Sequence, residues 1–390
     1  IVQHWWHPVS EEGRINEITD NLLWLPFATL EYLDETGDLA LLDESVPYLD
    51  QGHGSIQEHC LAAIDKALSR MSKRGLSLIG EGDWNDGMNG MGVKWLGESV
   101  WLSIFLFGIL RRTAALMEVR KVPELCRKYA YSAEALKTAL FNHAFNGKWF
   151  IRATDDSGRV FGNGDPDLAT IFLNPQSWAV ITGLVQGEEA RTLMKHVEDH
   201  LFRDYGVLLF YPPFKKPDRN IGYLSRYAPG VRENGGVYTH AAVWSVIAQG
   251  LAENGEHVFD TFRRICPTLL SNLDADRYKG EPYVTPGNIE GPGSIEEGKG
   301  AWTWYSGSAA WMYRAIVEYL LGVRVEGGKL VVKPCIPASW KGFTMERNFR
   351  GQRFRIEVQR DSLGQLKQTV TPVAAAAETC ECSCSEADEV

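Results

Sequence analysis

Apolar residues recur every three to four positions along most of this chain, in blocks separated by polar, glycine-rich connections. That spacing predicts helices. LLWLPFATLEYLDETGD carries the helical stripe and ends at Gly37, and Ser55-Ile-Gln-Glu58 has the form of a capping box ahead of EHCLAAIDKALSRM. Residues 98–117 are apolar on nearly every face and read as a buried helix. Further helices are expected at about 132–145, 175–186, 188–201, 240–253, 256–271 and 306–322, with KWFIRATD and GVLLFYPPF as short extended breaks. Beyond Leu321 the period changes to two: GKLVVKP, FTMERNF and RFRIEVQR alternate and are bounded by Gly and Pro, the mark of strands. The expected organisation is a mainly α region over 1–322, a β segment over 323–362 and a tail over 363–390. Many amphipathic helices joined by short loops imply antiparallel pairs stacked into a bundle, toroid or solenoid.

Composition narrows the function classes. The net charge of −10 comes without any basic block, which argues against a nucleic-acid or anionic-membrane partner, since neutralising phosphates needs clustered Lys and Arg. The opening IVQHWWHP has no signal-peptide layout, and the apolar run 100–110 is too short to span a bilayer, so the expected location is the cytoplasm. Cys60, Cys126, Cys266 and Cys335 stand alone and read as reduced core residues; Cys380, Cys382 and Cys384 fall in an acidic, low-complexity end expected to be disordered, with no metal site. Thirteen tryptophans are the outlier. Many adjoin polar residues and glycines, which fits either core packing or platforms for the flat face of a sugar.

Three stretches could carry chemistry. GEGDWNDGMN (80–89) holds Glu81, Asp83 and Asp86, which cannot all be buried without partners; it is a turn or the presentation of a carboxylate, and Trp84 keeps the second reading open. PGVRENGGVYTH (229–240) sets Arg232, Glu233 and His240 around a Gly-Gly break; His240 opens a helix, where free N–H groups favour an anion, or it is a capping or core histidine. GKGAWTWYSGSAAWMYR (298–314) opens a helix at Ser306-Gly307-Ser308, as an N-cap or as a cradle for an oxyanion or phosphate.

Taken in order with HWWHP, HGSIQEHCLAAIDKAL, GESVWL, EPYVTPGNIEGP and PCIPASWKGF, these stretches resemble glycoside hydrolase family 94, the inverting β-glycoside phosphorylases, over about residues 3–358. RENGGVYTHAA and TWYSGSAAWMYR resemble most the branch of β-1,2-oligoglucan phosphorylases and the phosphorylase region of cyclic β-1,2-glucan synthases. The resemblance implies an (α/α)6 barrel flanked by β-sandwiches, and in many members a homodimer. It implies Asp86 as general acid, with Trp84 against the departing glucosyl unit. It places phosphate on His240, Ser306 and Gly307, and the acceptor side on Tyr227, Arg232 and Glu233. The partners are then a β-glucan oligosaccharide and inorganic phosphate as co-substrate, with no cofactor. One carboxylic acid plus an anion pocket suffices for such chemistry, because phosphate replaces the activated water of a hydrolase. On that reading GDWNDGMN is a turn that exists to present Asp86.

Two departures qualify the likeness. EGRINEITDNLLWLP carries Ile15 and Glu17 where the family places arginines, and Asn21 where it places a second Asp, so the grip on the sugar is altered. Family members also run well beyond 390 residues, which places the first barrel helices and an N-terminal β-sandwich outside this chain; inactivity of the chain by itself is one expected outcome. An inverting hydrolase would require a second carboxylate, Glu233 or Glu290. A non-catalytic carbohydrate-binding remnant is the third reading.

Overall fold

A computed structural model describes residues 5–49 and 51–373. Two compact units meet at the 338/339 junction. In the first, eleven helices are found among the described residues: α1 (Asn21–Thr36), α2 (Ile56–Leu68), α3 (Val100–Val119), α4 (Pro123–His143), α5 (Leu173–Ile181), α6 (Gly187–Leu201), α7 (Thr239–Leu251), α8 (Gly255–Arg263), α9 (Pro267–Leu273), α10 (Ala275–Tyr278) and α11 (Ser306–Arg314).

Their order in space follows from their faces. α3, α5 and α7 are apolar nearly all round and sit inside; α4, α6 and α8, which carry one polar face, pack outside them as antiparallel partners. α1 adjoins α3 with α2 as its outer partner, and α11 adjoins α7. α11 also reaches α1: the Trp311 and Phe27 rings lie 6.2 Å apart, and Arg314 bridges to Glu31 at 2.6 Å. Within this inner layer Trp101, Trp178 and Trp244, from α3, α5 and α7, meet with ring centroids 5.1–6.2 Å apart and are fully buried. The tryptophan excess is therefore partly core, as one of its two readings held. Because inner and outer helices alternate along the chain, the inner ones start from the same end, and the long connections entering α1, α3, α7 and α11 gather there.

Local signals act as expected at several boundaries. Ser55 Oγ accepts from the N–H of Glu58 while the Glu58 carboxylate accepts from the N–H of Ser55, a complete capping box. Gly37, at φ 70°, ends α1 in the left-handed conformation and returns its N–H to Leu33. Other boundaries moved. The fourth helix begins at Pro123, nine residues before the expected start, because proline is favoured in a first turn. The expected helix over 256–271 is two helices, broken where Pro267 cannot continue the ladder of α8. The helix expected to reach 322 is α-helical to Arg314 and then widens into a π-helix, Ala315–Leu320. α3 as a whole has 20 residues, long and apolar enough to cross a membrane, although the run 100–110 alone is too short; 72% of the window is buried inside the protein, so it serves here as a core helix.

The β region also differs from expectation. Val323–Glu326 pairs with Lys329–Val332 as a hairpin that belongs to the helical unit. In the second unit, Gly342–Phe349, Gln352–Arg360 and Leu366–Val373 form one antiparallel sheet with the second strand central. The third strand lies beyond the expected boundary at 362, so the disordered tail assigned to 363–390 is corrected: residues 366–373 are strand. LKQTVTPV alternates weakly and contains Pro372, which an edge strand tolerates. Cys380, Cys382 and Cys384 lie outside the described residues.

Candidate active site

The acids of GEGDWNDGMN divide by partner. Asp83 is completely buried and is held by Arg152 at 2.7 Å, by the Ser99 hydroxyl at 2.6 Å and by the N–H of Asn85 at 3.0 Å. A buried carboxylate so surrounded is a fixed strut for the turn. Glu81 is exposed and accepts the N–H of Glu17 at 2.9 Å. Asp86, half-buried, opens a short 3-10 turn, Asp86–Met88, and lines an open cavity of about 610 Å³. The Tyr223 hydroxyl donates to its Oδ1 at 2.5 Å. One acid of the three is structural; the other two line the cavity, Glu81 from its exposed rim and Asp86 half-buried.

Trp84 lies between the turn and α7. Its Nε1–H donates to Nδ1 of His240 at 3.3 Å, and its ring stands 5.1 Å from Trp244 and 5.3 Å from Tyr238. Burial pushes the imidazole down to about 4, so at neutral pH it is uncharged. With Nδ1 accepting, its one proton sits on Nε2, an assignment that follows from the hydrogen bond. That nitrogen is enclosed and has no hydrogen-bond partner among the described residues. His240 is thus an unpaired donor at the N-terminal turn of a helix.

The acceptor-side candidates form a second group. The Arg232 guanidinium lies 3.4 Å from the Trp302 ring centre and 4.6 Å from that of Tyr227, and its Nε is 3.2 Å from the Glu233 carboxylate. Arg232 adopts φ 52° to reach this position. Burial raises the Glu233 carboxyl, and the Arg232 charge opposes the rise. The two groups connect through aromatic rings: Tyr223 and Tyr227 meet at 6.1 Å. Glu290 is held elsewhere, accepting from the Ser294 hydroxyl.

Ser306 and Gly307 begin α11 and are exposed; a side chain at Gly307 would meet nothing within 4 Å. No direct contact joins them to His240 among the described residues. Their helix does approach it, since Trp311 lies 6.0 Å from the His240 ring. Three residues that the sequence reading passed over belong here. Tyr223 is one. Asn288, 1% exposed, stands opposite Tyr238 in a strand pair, and neither its amide oxygen nor its nitrogen has a partner among the described residues. Asp20, buried and accepting from Trp24 Nε1 at 2.7 Å, has its carboxyl pushed up to about 7 by burial, with the charges of Asp83 and Asp86 adding to the effect. An aspartate before an apolar helix looks like an ordinary N-cap in sequence, yet Asp20 makes no side-chain cap.

The altered loop is accounted for locally. Glu17 forms an ion pair with Arg70, Asn21 donates to Asn16 at 2.9 Å, and Ile15 is exposed. Arg14, Asn16 and Glu17 line the same cavity as Asp86.

Comparison with known proteins identifies the family. Residues 4–322 match the family model of the glycosyl hydrolase 94 superfamily catalytic domain, and residues 323–364 match that of the glycosyl hydrolase family 65 C-terminal domain. The chain is 39% identical to the cyclic beta-(1,2)-glucan synthase NdvB of Rhizobium meliloti, over 93% of this chain and 14% of that protein. It is 35% identical to the solabiose phosphorylase of Paenibacillus borealis, over 90% and 46%, and 24% identical to the 1,2-beta-oligoglucan phosphorylase of Listeria innocua, over 83% and 32%. The chain spans less than half the length of each of these relatives. Among solved structures, a sialidase superposes with a TM-score of 0.66 at 15% identity, over 94% of this chain and 33% of that one, which speaks for the fold alone. With a family match over residues 4–322, which takes in all eleven helices and every loop of the candidate site, the chain belongs to the glycosyl hydrolase 94 superfamily.

Proposed function

We propose that this chain carries the phosphorolytic site of an inverting β-glycoside phosphorylase acting on a β-1,2-glucooligosaccharide. Its alternating inner and outer helices are read as an (α/α)6 arrangement, with the site at the N-terminal ends of the inner helices. The observation that carries the proposal is His240: a neutral, enclosed imidazole whose Nε2–H has no partner among the described residues, oriented by Trp84 from the turn that presents Asp86. Asn288 adds two unpartnered buried amide atoms on the strand beside Tyr238. Donors left unpaired in a folded interior imply a ligand, and at the start of α7 that ligand is an anion.

Asp86 donates its proton to the glycosidic oxygen. A phosphate oxygen held by His240, Ser306 and Gly307 bonds to C1 from the opposite face, the C1–oxygen bond breaks, and the β-glucoside yields α-glucose 1-phosphate and a shortened glucan. Trp84 packs against the departing glucosyl unit, and Tyr227, Arg232 and Glu233 line the acceptor side. The β-1,2 linkage is supported by the 39% identity to a cyclic beta-(1,2)-glucan synthase.

The test is glucose 1-phosphate release from β-1,2-glucooligosaccharides in phosphate buffer, beside an Asp86→Asn variant. Release by the parent chain, reduced at least about 10³-fold in the variant, is the expected result. Free glucose formed without phosphate would replace this reading with hydrolysis. Glucan binding by isothermal titration with no product of either kind would leave a carbohydrate-binding remnant.

A further inference from the structure

The turn bearing Asp86 is clamped to a second turn more than 130 residues away in sequence. Tyr223–Arg226 is a short 3-10 turn; the N–H of Tyr223 donates to Asn89 Oδ1 at 3.1 Å, and the N–H of Gly90 donates to the carbonyl of Ile221 at 3.1 Å. Glycines permit this closeness. A Cβ at Gly222, itself at φ 123°, would lie 2.5 Å from the Gly87 carbonyl oxygen, and one at Gly90 would lie 2.0 Å from the Arg219 carbonyl oxygen. Neither backbone atom can yield, so the two turns hold one spacing.

That spacing delivers a phenol to a carboxylate. From this geometry we infer that Tyr223 is a positioning residue for the general acid: by donating to Oδ1 of Asp86 it leaves Oδ2 to carry the transferred proton and to face the cavity. The inference rests on the phosphorolytic reading of Asp86. Burial, followed by the bond to Asp86, holds the Tyr223 hydroxyl well above its usual range, so it remains a donor throughout the working pH. When Oδ2 gives its proton to the glycosidic oxygen, the bonding pair of the C1–oxygen bond stays with that oxygen and phosphate bonds to C1. The carboxylate left behind is the species the phenol stabilises.

Other charged groups face Asp86. Asp20, Tyr227 and Glu233 act on it through space, and Arg14, Glu17 and Glu81 share its cavity. All six are unchanged in Tyr223→Phe, which removes one oxygen, so parent and variant differ in this single donor.

In phosphorolysis Asp86 works protonated, and the rate falls as pH rises through its titration. Losing a donor to the ionised form moves that alkaline limb upward. The expected shift in Tyr223→Phe is about one pH unit, with kcat at the optimum about tenfold lower from lost orientation. A kcat that falls equally at every pH, with the limb unmoved, would make Tyr223 merely structural and overturn the inference. A second readout does not depend on turnover: the carbon-13 carboxyl signal of Asp86, assigned by its absence in Asp86→Asn, should titrate at higher pH in Tyr223→Phe than in the parent. Coincident titrations refute the inference even if the protein is active. A shifted titration in chains that release no glucose 1-phosphate would sustain the Tyr223–Asp86 coupling and refute the phosphorolytic reading instead.

Discussion

Trp84 and His240 are joined by an indole-to-imidazole hydrogen bond of 3.3 Å across 156 positions of sequence. The bond fixes both where the imidazole points and which nitrogen keeps its proton. Trp84→Phe keeps an aromatic ring, though a smaller one, and removes the donor, so the neutral imidazole is free to place its proton on Nδ1. The expected result is a KM for phosphate raised about tenfold, since one hydrogen bond to an anion is lost, with a smaller change in the KM for glucan.

His240 also ties stability to pH. Its folded value of about 4 lies below the unfolded 6.5, so between these values the unfolded chain binds a proton that the folded chain refuses. Stability therefore falls as pH drops from 6.5 toward 4, by on the order of 3 kcal/mol from this residue. Urea unfolding of His240→Gln at pH 7 and pH 4 should show that much less acid destabilisation than the parent.

Asp20 has the opposite sign. Burial pushes its folded carboxyl up to about 7 from an ordinary 3.8, so its contribution is fully present below about pH 4 and is lost as pH rises through 7. Asp20→Asn should be more stable than the parent at pH 8, by up to about 4 kcal/mol less whatever the lost Trp24 bond contributes, and should show no advantage at pH 4. An advantage that is the same at both pH values would contradict the assignment.

Arg152 and Asp83 form an ion pair with almost no solvent access to either side chain. Asp83→Ala leaves a buried guanidinium without its carboxylate and should cost about 3–5 kcal/mol in urea unfolding. The double variant Asp83→Ala, Arg152→Met should recover part of that loss, because no uncompensated charge remains.

Arg232 lies over the rings of both Trp302 and Tyr227. A flat guanidinium fits against two rings and an ammonium does not, so the charge-preserving Arg232→Lys should still weaken glucan binding about tenfold, as read by isothermal titration.

How far the sequence reached depended on whether the cause was local. The capping box at Ser55, the αL stop at Gly37 and the change from period three-to-four to period two are set by neighbours a few residues apart, and each is found where the pattern placed it. The break at Pro267 was equally local and could have been read. The strand Leu366–Val373 could not: its alternation is weak, and pairing along Arg353–Arg360 makes it a strand.

The site divides in the same way. Motif wording singled out Asp86, His240, Ser306 and Gly307, and the acids of GEGDWNDGMN could be counted as too many to bury. Which acid goes inside was decided by Arg152, 69 positions away, and which of the two cavity acids receives a phenol was decided by the clamp that brings Tyr223 to Asp86. Asn288 and Asp20 carry no signal in their own neighbourhoods, because an unpaired amide and a protonated carboxyl are properties of burial. By itself the sequence determined the helices, the period change and the family. Tertiary structure alone decided which polar atoms are paired and which are left for a ligand, since hydrogen-bond satisfaction depends on what lies across the interior rather than along the chain.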